Sequence, residues 1–127
     1  MRLVLDTSVL IDHLRGRPEA AAKIIPDAIA RGDELWSSYV VRSEILAGMR
    51  SDEETATRDL LGLITWVDVD EVLSEAAGAL GRRFLASHKG IDIADLIVAA
   101  LTQQLDGELK TTNIKHFPMF KDLKSPY

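Results

Sequence analysis

A chain of 127 residues, 46% hydrophobic and 28% charged, has the composition of one globular domain, 1–127, large enough to bury a core. Its net charge of −5, from 15 Lys+Arg against 20 Asp+Glu, argues against a nucleic-acid binder that relies on a basic surface alone. The absence of Cys excludes disulfides and thiolate zinc sites, and no apolar run approaches the roughly 20 residues of a membrane span.

Met1-Arg2-Leu3-Val4-Leu5-Asp6 reaches an acid too soon for a signal-peptide apolar region. The expectation is a complete, soluble protein of a reducing cytoplasm. Arg2 to Leu5 reads as a short buried strand. Asp6-Thr7-Ser8 then supplies side chains that cap a helix running through Leu10 and Leu14 and stopping at Gly16. Pro18 suits the first turn of a second helix, which Pro26 interrupts or kinks and Arg31-Gly32-Asp33 ends.

Glu34 to Ser37 is a second strand, followed by a helix capped by Ser37 or Ser38 that bears Val40, Val41, Ile45, Leu46 and Met49. Ser51 to Gly62 reads as a further helix, and Ile64-Thr65-Trp66-Val67 as a β-rich third strand. An Ala-rich helix from Glu71 to about Phe84 and a loop at Ser87 to Gly90 come next. Asp92 caps an apolar helix over 93–104, Glu108 to Thr111 is a fourth strand, and a short turn lies near 114–117. Strands alternating with helices imply an α/β fold with a central, mostly parallel sheet covered on both faces. Sites in such sheets gather at the carboxyl ends of the strands.

Three acids sit among apolar neighbours. Asp6 ends Leu3-Val4-Leu5, Glu44 has Val40, Val41, Ala47 and Gly48 at helical spacing, and Asp95 lies within Ile93-Ala94-Asp95-Leu96-Ile97-Val98. A carboxylate against apolar surface costs several kcal/mol unless something positive meets it. No Lys or Arg stands at helical spacing from Glu44 or Asp95, so a divalent metal is the common partner that would serve all three. Asn113 follows the fourth strand and joins them at the same sheet edge. Each residue also has a plain structural explanation: Asp6 as an N-cap, Asp95 as a capping-box acid with Asp92, Asn113 as a turn residue, and, fitting worst among such neighbours, Glu44 as a residue of a solvated helix face.

Hard oxygen ligands without His or Cys select Mg²⁺, with Mn²⁺ as the alternative, and suit phosphodiester hydrolysis. His13, His88 and His116 share no context and read as ordinary polar residues; no Ser-His-acid or Cys-His nucleophile system is visible. Basic residues at Arg15 and Arg17, at Arg82, Arg83 and Lys89, and at Lys110, Lys115, Lys121 and Lys124 offer a phosphate chain local positive potential on an acidic protein.

Four strings, Leu5-Asp6-Thr7-Ser8-Val9-Leu10-Ile11, Ser43-Glu44-Ile45-Leu46-Ala47-Gly48, Ile91-Asp92-Ile93-Ala94-Asp95-Leu96-Ile97-Val98-Ala99-Ala100 and Thr111-Thr112-Asn113-Ile114-Lys115-His116-Phe117, span essentially the whole chain. In this order they resemble the PIN-domain ribonucleases, and within them the small VapC-type toxins of toxin–antitoxin pairs. The resemblance implies a PIN-like three-layer α/β/α sandwich and a metal-dependent endoribonuclease acting on tRNA or rRNA. It implies Asp6 and Asp95 as principal Mg²⁺ ligands, with Glu44 as a third acid that binds directly or through water and helps deprotonate the attacking water. Asn113 falls where many members carry a fourth acid, and Thr7, Ser8 and Thr112 resemble hydroxyls that orient the carboxylates. The same resemblance implies a homodimer, no membrane, and a cognate VapB-type antitoxin whose Arg or Lys enters the acidic groove, docking on exposed apolar residues of the early helices. A haloacid-dehalogenase-type phosphatase is disfavoured because Ser8 stands where its second acid is needed. The rival that stays open is a catalytically degenerate PIN fold that binds only RNA or protein.

Overall fold

The computed structural model describes residues 1–127. Four strands, β1 (Arg2–Leu5), β2 (Glu34–Ser38), β3 (Thr65–Val67) and β4 (Glu108–Lys110), form one sheet in the order β3-β2-β1-β4. Every pairing is parallel, so the sheet is wholly rather than mostly parallel. β1 is central, with Leu3 opposite Leu35 and Glu108, and Leu5 opposite Lys110. Leu3, Val4 and Leu5 are all buried, the unbroken apolar run expected of a strand covered on both faces.

Six helices flank the sheet: α1 (Thr7–Arg15), α2 (Ile24–Ala30), α3 (Tyr39–Ala47), α4 (Glu54–Leu61), α5 (Glu71–Phe84) and α6 (Ile93–Gln104). α6 is buried without a break from Asp95 to Thr102 and packs on β1, β2 and β4, with α5 against it. This explains the unbroken apolar run Leu96–Leu101: that stretch has no solvated face to decorate.

Local expectations were corrected in two places. Pro26 does not interrupt a helix, because a 3-10 turn over Glu19–Lys23 comes first and Pro26 then sits in the opening turn of α2, where no N–H is required. Ser51–Glu53 is likewise a 3-10 turn preceding α4. Ser38 rather than Ser37 caps α3, accepting from the Val40 N–H, while Ser37 is buried and donates to the Leu5 carbonyl at 2.7 Å. The chain closes on itself through Tyr127, whose hydroxyl donates to Asp12 of α1 at 2.5 Å.

Candidate active site at the carboxyl edge of the sheet

Asp6 leaves the end of β1 with its N–H donating to the Lys110 carbonyl at 3.1 Å, so β1 and β4 deliver it together. The residue is 5% exposed. It occupies the N-cap position of α1, yet its side chain makes no cap bond. Instead Oδ2 accepts from the Thr111 hydroxyl at 2.7 Å and the Ser8 hydroxyl at 3.2 Å. Thr111 Oγ1 accepts in turn from the Asn113 N–H at 3.0 Å, and Ser8 Oγ from the Thr112 N–H at 3.1 Å. The hydroxyl expected from Thr112 is therefore supplied by Thr111, because strand register puts Leu5 opposite Lys110 and the next residues, Asp6 and Thr111, beside each other.

Asp95 lies in the first turn of α6 and is 7% exposed. The capping box is formed in full: Asp92 Oδ1 accepts from the Asp95 N–H at 2.9 Å, and Asp95 Oδ2 accepts from the Asp92 N–H at 3.1 Å. The His116 Nδ1 also lies 3.1 Å from Oδ2. Burial pushes the Asp95 carboxyl up from 3.8 to about 6. The Asp92 N–H bond opposes this, the Asp92 charge adds to it, His116 opposes it and the Asp6 charge adds to it. The two buried acids are thus electrostatic neighbours.

Glu44 stands differently. On α3 it is exposed, and its Oε1 accepts from the Thr7 hydroxyl at 2.8 Å. The expectation of an apolar surround fails because Ala47 and Gly48, its neighbours one turn on, are themselves exposed and too small to cover it. No group of three or more His, Cys, Asp or Glu side chains is gathered closely enough to hold a metal ion. The three acids therefore do not form a preformed cage: Asp6 and Asp95 influence each other, and Glu44 is tethered alongside through Thr7, the residue after Asp6. Like charges spread apart where water can solvate one of them. Asn113 is exposed, and its side chain has no protein partner.

A common pattern unites the acids. Each has one oxygen held by the protein and the other without a protein partner. The only buried side-chain polar atom lacking a partner is His13 Nδ1, so the free oxygens of Asp6 and Asp95 reach solvent. No Lys or Arg forms an ion pair with Asp6, Glu44 or Asp95. Two buried, mutually repelling carboxylates with free, solvent-reaching oxygens fit a hard divalent cation. They do so as an open site that the cation would complete, not as a preformed cage.

His116 is the residue that sequence reasoning missed, having been read as an ordinary polar side chain. The available signal was elimination: Asp95 has no Lys or Arg at helical spacing, and His116 is part of the string that begins at Thr111.

The family model for the PIN domain matches residues 3–118. The chain is 43% identical over 124 residues to Ribonuclease VapC19 of Mycobacterium tuberculosis, covering 98% of both chains. It is 36% identical over 126 residues to Ribonuclease VapC10 of the same organism, covering 98% of this chain and 92% of the relative. In fold it is similar to a chain of the structure of VapBC2 from Rickettsia felis bound to a DNA fragment from their promoter. That match has a TM-score of 0.76 at 19% identity and covers 97% of this chain and 96% of the other.

Proposed function

This chain belongs to the PIN-domain family as a VapC-type ribonuclease, and on that premise we propose that it is a Mg²⁺-dependent endoribonuclease toxin cutting phosphodiester bonds in tRNA or rRNA. The observation that carries the reading is the buried pair Asp6 and Asp95, unmatched by any Lys or Arg, each presenting one free oxygen. These two would hold the ion directly, Mg²⁺ by preference and Mn²⁺ as the alternative, with Glu44 completing the site directly or through water. The ion, when bound, supplies charge neutralisation at the phosphate and acidifies a water.

The residues of the chain do the rest. Thr111 and Ser8 fix Asp6 so that its free oxygen is presented without a search over rotamers. Thr7 anchors one Glu44 oxygen, leaving the other to take a proton from the attacking water. Asn113, exposed at the same edge, offers a neutral amide to a phosphate oxygen where a fourth acid would repel it.

The same reading includes a VapB-type antitoxin, supported by the likeness to a protein solved as VapBC2, and a homodimer as the family resemblance implies. A basic antitoxin side chain would compete with the metal for the Asp6–Asp95 charge. The early helices offer it little apolar surface, since Ile29 is the only strongly exposed large apolar residue on α1 or α2, whereas exposed Val69, Leu85 and Ile93 line one apolar pocket beside α5 and α6. No helix is long and apolar enough to cross a membrane, and the proposed place of action is the cytoplasm, where such RNA lies.

Sequencing RNA ends after brief induction tests the reading. New ends at a defined RNA site with wild type, absent with Asp6→Asn, are expected. No new ends from soluble wild-type protein would leave the non-catalytic PIN fold as the better account.

A further inference from the structure

One segment touches both buried acids, with two different side chains. Thr111 holds Asp6 through its hydroxyl, and His116 brings Nδ1 to 3.1 Å from Asp95 Oδ2. The acids themselves come from opposite ends of the chain, one at the end of β1 and one in the first turn of α6. Between Thr111 and His116 the backbone is pinned. The Asn113 N–H donates to Thr111 Oγ1 at 3.0 Å, the His116 N–H to the Asn113 carbonyl at 2.9 Å, and the Phe117 N–H to the Ile114 carbonyl at 3.1 Å. Phe117, fully buried, anchors the far end. The imidazole is therefore carried on a short 3-10 turn, Ile114–His116, and its Nε2 edge faces Gly90, where a Cβ would lie 3.5 Å away.

Building on the metal-dependent nuclease reading, we infer that His116 is a positioning residue for Asp95. The Asp92 N–H donates to Oδ2 and the imidazole Nδ1 lies against the same oxygen at 3.1 Å, leaving Oδ1 as the oxygen free to bind a cation. A carboxylate whose second oxygen is already held loses little freedom on ligating a metal, which is how such outer contacts strengthen binding.

The test compares wild type with His116→Asn, His116→Gln and His116→Ala in Mn²⁺ titration calorimetry on the full chain without RNA, alongside RNA cleavage. An Asn amide nitrogen can take the place of Nδ1, whereas Gln carries its amide toward the Nε2 side. His116→Asn is expected to stay within about threefold of wild-type Mn²⁺ affinity, while His116→Gln and His116→Ala weaken it by about tenfold or more. The Asn and Gln pair decides the matter even if the Ala variant fails to fold. Equal affinity in all four proteins, or rescue by Gln as good as by Asn, overturns the role of His116; wild-type binding that Asp6→Asn abolishes would then leave the nuclease reading intact. A wild type that neither binds Mn²⁺ nor cuts RNA overturns both.

Discussion

Replacing Asp95 with Asn should stabilise the metal-free protein while destroying its activity, and the size of the effect follows from the site. The carboxyl is raised from 3.8 to about 6, chiefly by burial, which corresponds to about 3 kcal/mol of penalty on the ionised form in the folded state. Because Oδ1 reaches solvent, water screens part of this, and about 2 kcal/mol is the expected gain at neutral pH. The sign follows from proton binding. Between 3.8 and about 6 the folded protein holds a proton that the unfolded chain has released, so wild-type stability falls as pH rises through that window. Below it both states are protonated and the penalty vanishes. Asn carries no such charge, and its side-chain oxygen can still accept from the Asp92 N–H.

The assay is urea unfolding of both proteins with chelator, from about pH 4 to about pH 8, comparing midpoints at equal slope. The two curves should meet at the acid end and separate as pH rises, the variant being the more stable. Adding Mn²⁺ should reverse the order, since an ion at a hundredfold its dissociation constant adds about 2.7 kcal/mol to a protein that binds it only when folded. A difference independent of pH, or an Asn variant less stable at neutral pH, would refute the claim that Asp95 is held ionised against its environment.

Glu44→Gln keeps an oxygen for the Thr7 hydroxyl, so stability should change by no more than about 0.5 kcal/mol while RNA cleavage falls by about a hundredfold. Undiminished cleavage at saturating metal would remove Glu44 from the reaction. Gly107 precedes β4 where the chain passes close to β1: a Cβ there would stand 3.0 Å from the Arg2 carbonyl oxygen and 3.2 Å from Val4 Cγ2. Gly107→Ala is therefore expected to cost about 1–3 kcal/mol in urea unfolding, because the central strand cannot give way. An unchanged midpoint would show that the approach is not a constraint.

Local signals made much of this protein legible before any coordinates. An apolar run marked β1, β-rich residues marked β3, cap residues marked helix starts, and Asp92 and Asp95 formed the capping box that their spacing announces. Asp6 at the end of β1 and Asp95 in the first turn of α6 were placed by the same short-range logic, since each is defined by its own few neighbours. Glu44 was misjudged because helical spacing names neighbours without saying whether anything covers them.

What only the tertiary structure decided lies in contacts between residues distant along the chain. Thr111 reaches Asp6 across 105 positions and Thr7 reaches Glu44 across 37. Nothing local in the string Thr111-Thr112 says which hydroxyl faces the acid. The answer comes from the register of β4 against β1, since successive strand residues point to opposite faces and a slip of one residue would exchange them. The partnership of His116 with Asp95 has the same origin, in a turn whose position is set by the strand before it and the buried Phe117 after it. The kinds of side chain available were written in the amino-acid order; which oxygen each one holds was settled only when the strands paired.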